Sequence, residues 1–269
     1  MTSRWVGGCG ILLIGLGVLL FLSSAGLITV DFWRVLFPLF MIGLGALTIW
    51  IAVSRGSEIP RTHLAVPLGS SREGRVRVRY GAGRLSVAAG AGSENLVEVD
   101  ALGGAVRSER VEGQVRVVEL QPPTEFLGEV LAPWRWAGGD PPSWRVRLQG
   151  SVPLKLEIEA GACESQVDLA GLQVRAFDLT TGASSSQITM PMNAGKTTAT
   201  IRAGAAEVKI LVPLGVAARV LTQAGLGEVR VNQARFPAGG GGYQSLDYET
   251  APNRVELRIE VGAGSVAVE

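Results

Sequence analysis

The side chains that most often carry catalysis or metal binding are scarce in this sequence of 269 residues. There is one histidine, His63, and there are two cysteines, Cys9 and Cys163. A site built on several histidines, or on serine, histidine and aspartate, would have to include His63, which lies just outside an apolar segment. The cysteines are far apart in the sequence, which excludes a disulfide framework and a multi-cysteine metal site. Each is predicted to be a small buried apolar side chain.

Two glycine-containing motifs suggest ligand sites but lack the required spacing. AGKTT at 194–198 resembles the end of a phosphate-binding loop, but that motif needs a glycine five residues before Gly195, and Met190 stands there. GAGS and related stretches lack the spaced aspartates of a calcium loop. Asp and Glu are scattered singly, with no paired arrangement for acid–base work. The sequence therefore predicts a protein that is not an enzyme and has no catalytic residue, cofactor or metal.

The composition indicates a chain with one strongly apolar part. Hydrophobic residues make up 47% and charged residues 18%, and there are 36 glycines. This is more apolar than an average soluble domain, which predicts that part of the chain lies in the lipid bilayer. The net charge of +1 gives no indication of a nucleic-acid partner.

The elements that must position any functional side chain begin with two uncharged runs, 6–22 and 35–53. The first run is followed by further uncharged, mostly apolar residues up to Val30. Nineteen residues of helix span about 28 Å, close to the thickness of a bilayer core. We therefore predict a transmembrane helical hairpin over 1–53. Trp33 and Arg34, between the runs, are predicted to be anchors at the lipid–water interface.

Both predicted helices contain the sequence IGLG. Small residues let helix backbones approach closely in lipid, which predicts packing of these faces on each other or on another protein. The alternative is that glycine is merely common in such helices. The glycines predicted to pack are Gly15, Gly17, Gly43 and Gly45.

Basic residues near the two runs predict the orientation. Arg4 precedes the first run and Arg55, Arg61 and Arg72 follow the second, whereas the loop between them has one basic residue, next to an aspartate. Because basic residues favour the cytoplasmic side, we predict a multi-pass protein of the cell membrane with its C-terminal domain in the cytoplasm.

Alternating apolar residues characterise the rest of the chain. A glycine-, serine- and proline-containing stretch, 54–74, is predicted to be a linker. From residue 75 onward, stretches such as RVRVRY at 75–80 alternate as strands with one buried face do.

Six glycines recur at matching points of this alternation, with spacings of 21, 22 and 21 residues across the middle. Each is predicted to lie at a bend, either in a conformation barred to larger residues or at a close backbone approach. Apolar residues at even offsets on both sides would keep one face inward. The repeat predicts a single-stack β-solenoid of about 21-residue repeats over 75–269, an all-β domain behind the hairpin. The bend glycines are Gly81, Gly161, Gly182, Gly204, Gly225 and Gly262.

One insertion rich in proline and tryptophan, 121–144, interrupts the repeats. It contains Trp134, Trp136 and Trp144. Exposed tryptophans could bind a partner or lie at the lipid headgroups. The alternative is that they cover the open end of the solenoid, which must be capped.

With these features in place, the chain resembles LiaI/LiaF-type envelope-stress proteins. The sequence at 10–47, GILLIGLGVLLFLSSAGLITVDFWRVLFPLFMIGLGAL, is similar to that family's transmembrane region. Residues 75–269, with recurring GAG and with VPLGVAARV, resemble the adhesin-like toastrack β-domain that commonly follows. The resemblance implies a membrane-anchored accessory of a cell-envelope stress response, often one that restrains a sensor kinase. It implies no catalytic residue, and the insertion departs from the compact repeat.

Three functions remain open at this point. The first is a regulator or scaffold that binds a membrane protein, such as a sensor kinase or a homologous subunit. The second is a structural homo-oligomer that assembles end to end or edge to edge. The third is a ligand-binding or enzymatic domain with a deep pocket near the tryptophan-rich insertion.

Overall fold

The structure, a computed structural model, describes most of the C-terminal four-fifths of the chain. The described residues are 37–38, 40–43, 45, 61–123, 141–239 and 241–269. Contacts divide the chain into two compact units, Met1–Gly56 and Ser57–Glu269.

The predicted fold class, a β-solenoid behind a transmembrane helical hairpin, is wrong. In the first unit the structure describes one short helical stretch, formed by residues 37–38, 40–43 and 45. No helix among the described residues has the length and apolar character needed to cross a membrane. The described chain is nearly all β-strand, and the predicted hairpin is not seen.

Most residues assigned to the hairpin lie outside the described part of the chain. These include Gly15, Gly17, Trp33 and Arg34. Gly43 and Gly45 lie in the helical stretch. Gly43 is exposed, and no neighbouring element comes within 4 Å of a Cβ built on it.

The described residues of the second unit form one mixed sheet of fourteen strands. Five strands are long, with 15 to 17 residues, and pair in parallel. The strands are β1 (Arg61–Pro67), β2 (Glu73–Ala89), β3 (Asn95–Leu102), β4 (Val106–Glu112), β5 (Val115–Gln121), β6 (Ser143–Leu148), β7 (Pro153–Asp168), β8 (Gln173–Thr189), β9 (Lys196–Leu211), β10 (Ala217–Ala224), β11 (Glu228–Val231), β12 (Ala238–Gly239), β13 (Gly242–Gln244) and β14 (Arg254–Val268).

The long strands stack in the order β2, β7, β8, β9 and β14, which we call the parallel block. Each contains one of the predicted glycines near its middle. We call the residues before the glycine the first arm and those after it the second arm. Between β7 and β8, residues 169–172 return the chain, so that Gln173 pairs with Pro153. The second arm of one strand thus ends beside the first arm of the next.

Side chains alternate inward along both arms, but the alternation shifts at the glycine. In β7 the even-numbered residues from Leu154 to Ala160 are buried, and after the glycine the odd-numbered residues from Cys163 to Val167 are buried. Gly161 and Ala162 are both exposed. The predicted even offsets are correct after the glycine but wrong before it, where the buried residues lie at odd offsets, because two consecutive residues face outward at the bend.

The core lies between the inner faces of the two arms. Val76, Leu156, Phe177 and Ile201 from the first arm belong to the same hydrophobic cluster as Val167 and others from the second arm. Alternation places one apolar side chain inward every second residue, so each additional strand extends the same core.

Shorter strands pair in parallel with both ends of the block, and antiparallel pairs continue the sheet beyond them, which makes the sheet mixed rather than a uniform stack of repeats. At one end β5 pairs with the first arm of β2 and β4 pairs with β5, while β6, β3 and β1 extend the second arm. At the other end β10 and β11 pair with β14, and β13 and β12 follow β10. We call β1, β3 and β6 the antiparallel end.

The last strand of the chain lies inside the sheet. β14 pairs in parallel with β9 on one side and with β10 on the other. β10 precedes β14 in the sequence, so spatial order departs from sequence order here. The 16-residue edge of β9 is therefore covered by the C-terminal strand.

Two segment predictions need correction. The predicted linker, 54–74, contains β1 and the start of β2. β1 is short, and it is fixed by antiparallel pairing with β3, a partner some 35 residues away. The predicted insertion, 121–144, overlaps the end of β5 and the start of β6, and its residues 124–140 lie outside the described chain.

Candidate contact surface

The six predicted bend glycines form a single line across the sheet, which we call the glycine column. Because β14 lies between β9 and β10, their order differs from the sequence order. A Cβ on most of them would meet a backbone carbonyl oxygen of the neighbouring glycine. In spatial order the column is Gly81, Gly161, Gly182, Gly204, Gly262 and Gly225.

Close backbone approach, not special backbone conformation, explains the glycines of the column. None of the six has a positive φ. A Cβ on Gly182 would lie 3.1 Å from the Gly161 oxygen, and one on Gly161 would overlap the Gly81 oxygen. Any side chain there would push the strands apart. Of the two explanations offered by the sequence, the close approach is the one that applies.

Two depressions follow this column on the side of the first arm. One, with a volume of about 480 Å³, is lined by Arg202, Gln223 and Glu260 together with column glycines. The other, of about 680 Å³, is lined by Arg79 and Glu159. Both include Thr180, and both are lined by glycines of the column. Exposed strand backbone therefore lies next to polar side chains in each depression.

Charged side chains face each other across the strands of the first arm. Arg79 lies 2.9 Å from Glu119 and 3.2 Å from Glu159. Arg202 lies 3.3 Å from Glu260. We call this set the charge ladder, formed by Arg77, Arg79, Glu119, Glu157, Glu159, Arg202 and Glu260.

The ladder arises from in-register parallel pairing, which places equivalent positions of successive strands side by side. The hydrogen bond between Arg77 and Glu157 raises the pKa of Arg77. Exposed pairs of this kind add little stability because water screens them. Their main effect is to hold alternating charges at fixed positions on the surface.

The buried groups near this surface offer little reactivity. Cys163 lies in the core, and burial raises its pKa to about 11, so few molecules carry the thiolate at neutral pH. Burial also raises the pKa of Tyr80, whose hydroxyl donates a hydrogen bond of 2.8 Å to the Pro142 carbonyl. Among the described residues, no group of three or more His, Cys, Asp or Glu side chains could hold a metal ion.

The predicted tryptophan surface is not formed by Trp144. This residue is 2% exposed, lies in β6 and packs against Tyr80 with ring centroids 5.2 Å apart. The alternation of β6 points it into the core. Trp134 and Trp136 lie outside the described residues.

Sequence reasoning missed one cluster on the second arm. His63 Nδ1 lies 2.7 Å from Asp100 Oδ1, although the two are 37 residues apart. The pairing depends on the register of β1 with β3, for which the sequence holds no local signal. Leu64 and Val66 in RTHLAVP could have indicated β1 itself, because they alternate as strand residues do.

Comparison with known proteins shows the family. Residues 55–211, more than half of the chain, match the family described as the N-terminal domain of toast_rack, DUF2154. The match ends at the last residue of β9, while the sheet continues through β14. No curated protein matches the chain in sequence.

A solved structure shares this fold. A candidate cell adhesion protein from Clostridium sporogenes has a TM-score of 0.67 at 16% identity, over 78% of this chain and 98% of that chain. A candidate adhesin from Parabacteroides distasonis, at 12% identity over 78% and 97% of the two chains, has a TM-score of 0.22, too low to support an argument.

The predicted resemblance to a toastrack-type β-domain is confirmed, whereas a LiaI/LiaF-like transmembrane region is not shown. The mixed sheet with its glycine column and the family match over residues 55–211 both support a toastrack-type domain. The chain belongs to the toast_rack family, through the N-terminal toast_rack domain, DUF2154.

Proposed function

We propose that the second unit is a non-enzymatic contact scaffold that binds another protein through the outer face of the first arm. The toast_rack family and the fold shared with a candidate adhesion protein support a contact role. The setting we propose is a cell-envelope stress response, which rests on the LiaI/LiaF resemblance of the sequence. The partner would then be a sensor kinase or a homologous subunit. Location at the cell membrane stays a prediction.

The charge ladder is the observation that carries this proposal. Its side chains are already held by cross-strand pairs, so they would lose little further conformational freedom when a partner binds. Positive and negative groups alternate across β5, β2 and β7 and again across β9 and β14, whereas β8 between them places Asp178 beside Glu157. Such a surface selects a partner with the matching alternation and repels one that is out of register.

The glycine column adds a second recognition element beside the ladder. Where side chains are absent, a partner backbone or small side chain can approach the strand backbone closely. The depressions along the column, of about 480 and 680 Å³, are open and shallow. They suit an extended segment of a partner better than an enclosed small molecule.

Self-assembly through sheet edges is the less supported function. β4, whose described pairing is with β5 alone, is exposed along all seven residues and carries Arg107, Glu109, Arg110 and Glu112. Charged edge strands resist pairing with another sheet. The edges at the other end, β11 and β12, have four and two residues and offer little template.

Site-specific crosslinking in cells tests the proposal. A photo-crosslinking residue replaces Gln223 beside the column in the full-length chain, and in a matched control it replaces Gln187 on the second arm. Both positions are exposed. We expect a defined crosslinked partner from position 223 and none from position 187. Equal capture at both positions would contradict the first arm as the contact face.

A charge swap separates partner contact from folding. Arg202→Glu should abolish the crosslink by reversing one charge of the ladder. The double variant Arg202→Glu with Glu260→Arg restores the internal pair but keeps the reversed polarity, so capture should stay lost. Lys209→Glu, which alters an ion pair with Glu269 on the second arm, is the control. Recovery of capture in the double variant would show that the ladder acts only through stability.

A further inference from the structure

The second arm carries a pocket of about 720 Å³ at the antiparallel end. Three arginines line it, which come from β1, β2 and β6. We call it the arginine pocket, and its charged residues are Arg61, Arg84, Arg145, His63 and Asp100. It adjoins Pro141 and Trp144, at the end of the tryptophan-rich insertion near which the sequence predicts that any ligand pocket would lie.

Strand register brings these residues onto one face. His63 pairs with Asp100, Asp100 with Arg145, and Arg145 with Ser86, across β1, β3, β6 and β2. A second row, two residues along each strand, joins Arg61 to Arg84 through Leu102 and Ser143. Neighbouring strands lie about 4.8 Å apart, so long arginine side chains from both rows can reach a common centre.

The pocket has more positive than negative charge available. Asp100 is its single carboxylate, and this group is already engaged by His63 at 2.7 Å and by Arg147 at 3.1 Å. The hydrogen bond with His63, followed by the charge of Arg147, holds the pKa of Asp100 below its ordinary value. Arg84 lies 3.3 Å from Glu164. Within the described residues, Arg61 and Arg145 form no ion pair.

We propose that the arginine pocket binds a phosphate ester, either a free organic phosphate or the phosphodiester headgroup of an anionic lipid. Guanidinium groups bind phosphate oxygens with paired, charge-assisted hydrogen bonds. Ser86 and Ser143, which lie in the same two rows as the arginines, add hydroxyl donors for the remaining oxygens. This site lies on the opposite arm from the proposed protein contact, so each can fail without the other.

The shape and lining favour an ester over a bare inorganic ion. A phosphate ion fills only a small part of about 720 Å³. Leu102 and Pro141 give one side of the pocket apolar surface, which an organic substituent can contact. Donors from three strands surround the site, which matches a tetrahedral group with several acceptor oxygens better than a planar carboxylate.

Calorimetric titration of the full-length chain at fixed ionic strength tests this site. The probes are glycerol 3-phosphate for a free organic phosphate, glycerophosphoglycerol for a lipid headgroup, and glutamate for a carboxylate. We expect saturable binding of at least one phosphate probe. Tighter binding of glycerophosphoglycerol would support a lipid source, tighter binding of glycerol 3-phosphate would support a free organic phosphate, and equal or tighter binding of glutamate would overturn the proposal.

Variants locate the binding. Arg61→Gln and Arg145→Gln should each weaken binding about tenfold or more, because each removes charge-assisted hydrogen bonds. Arg145→Lys should recover part of the affinity. The control is Arg175→Gln, which removes the same charge from an exposed arginine of β8 outside the pocket. Equal affinities for all variants, or no saturable phosphate binding, would refute the site; circular dichroism checks that each variant is folded.

Discussion

The parallel block and the antiparallel end use charge in different ways. In the block, equivalent positions of successive strands lie side by side, and opposite charges such as Arg202 and Glu260 meet across the sheet. At the antiparallel end the neighbours come from distant, unrelated segments, and Arg61 and Arg145 are left without an ion pair among the described residues. The difference suggests that repetition yields a neutral, ordered surface, while the irregular end holds charge available for a ligand.

The largest expected effect concerns the core of the block. Phe177 is fully buried in β8. Phe177→Ala should lower the free energy of unfolding by about 3–5 kcal/mol, because it removes buried area and leaves a cavity. Urea unfolding followed by circular dichroism measures this.

The control for this variant is Leu246→Ala, at a side chain that is 94% exposed, which should leave stability nearly unchanged. A single shifted transition is expected, because the strands share one core. Two separate transitions would show that the block and the antiparallel end unfold independently, which would contradict a single shared core.

A smaller effect is expected within the glycine column. Gly161→Ala places a methyl group against the Gly81 carbonyl and should cost about 1–3 kcal/mol by forcing strands apart. Gly81→Ala is the matched control, since nothing lies within 4 Å of a Cβ there, and it should change stability by less than about 0.5 kcal/mol. Equal effects at both positions, measured by thermal and urea unfolding, would remove close approach as the reason for the column.

The smallest effect is expected at the antiparallel end. Because the pKa of Asp100 is lowered in the folded state, its ion pairs stabilise the fold above the ordinary aspartate pKa, and this contribution disappears as the pH falls through the folded value. The group is partly exposed, and solvent screening keeps the contribution below about 1 kcal/mol.

Unfolding of the unmodified chain and of Asp100→Asn at several pH values should show curves that differ at neutral pH and converge in acid. Carboxyl NMR gives the pKa directly. His63→Ala removes the first cause and should move the pKa of Asp100 back toward its ordinary value. Curves that stay parallel throughout would show that the His63–Asp100 contact carries no free energy.

Much of the block could be predicted because its signals are local. Strict alternation in RVRVRY predicted the strand that became the start of β2, and the recurring glycines marked the middle of each long strand. The shift of the alternation at Gly161 could not be predicted, because it depends on two residues facing outward together. The burial of Trp144, by contrast, had a local signal, because Trp144, Val146 and Leu148 alternate with arginines in SWRVRL as strand residues do.

The sequence by itself determined which residues form the long strands and where glycines recur in them, because alternation and spacing are properties of neighbouring residues. Only the tertiary structure decided that β14 lies between β9 and β10, that β1 and β3 flank β6, and that His63 meets Asp100. These contacts join segments far apart in the chain. Their register follows from the packing of the whole sheet, because a local pattern fixes the face of a strand but not its partner.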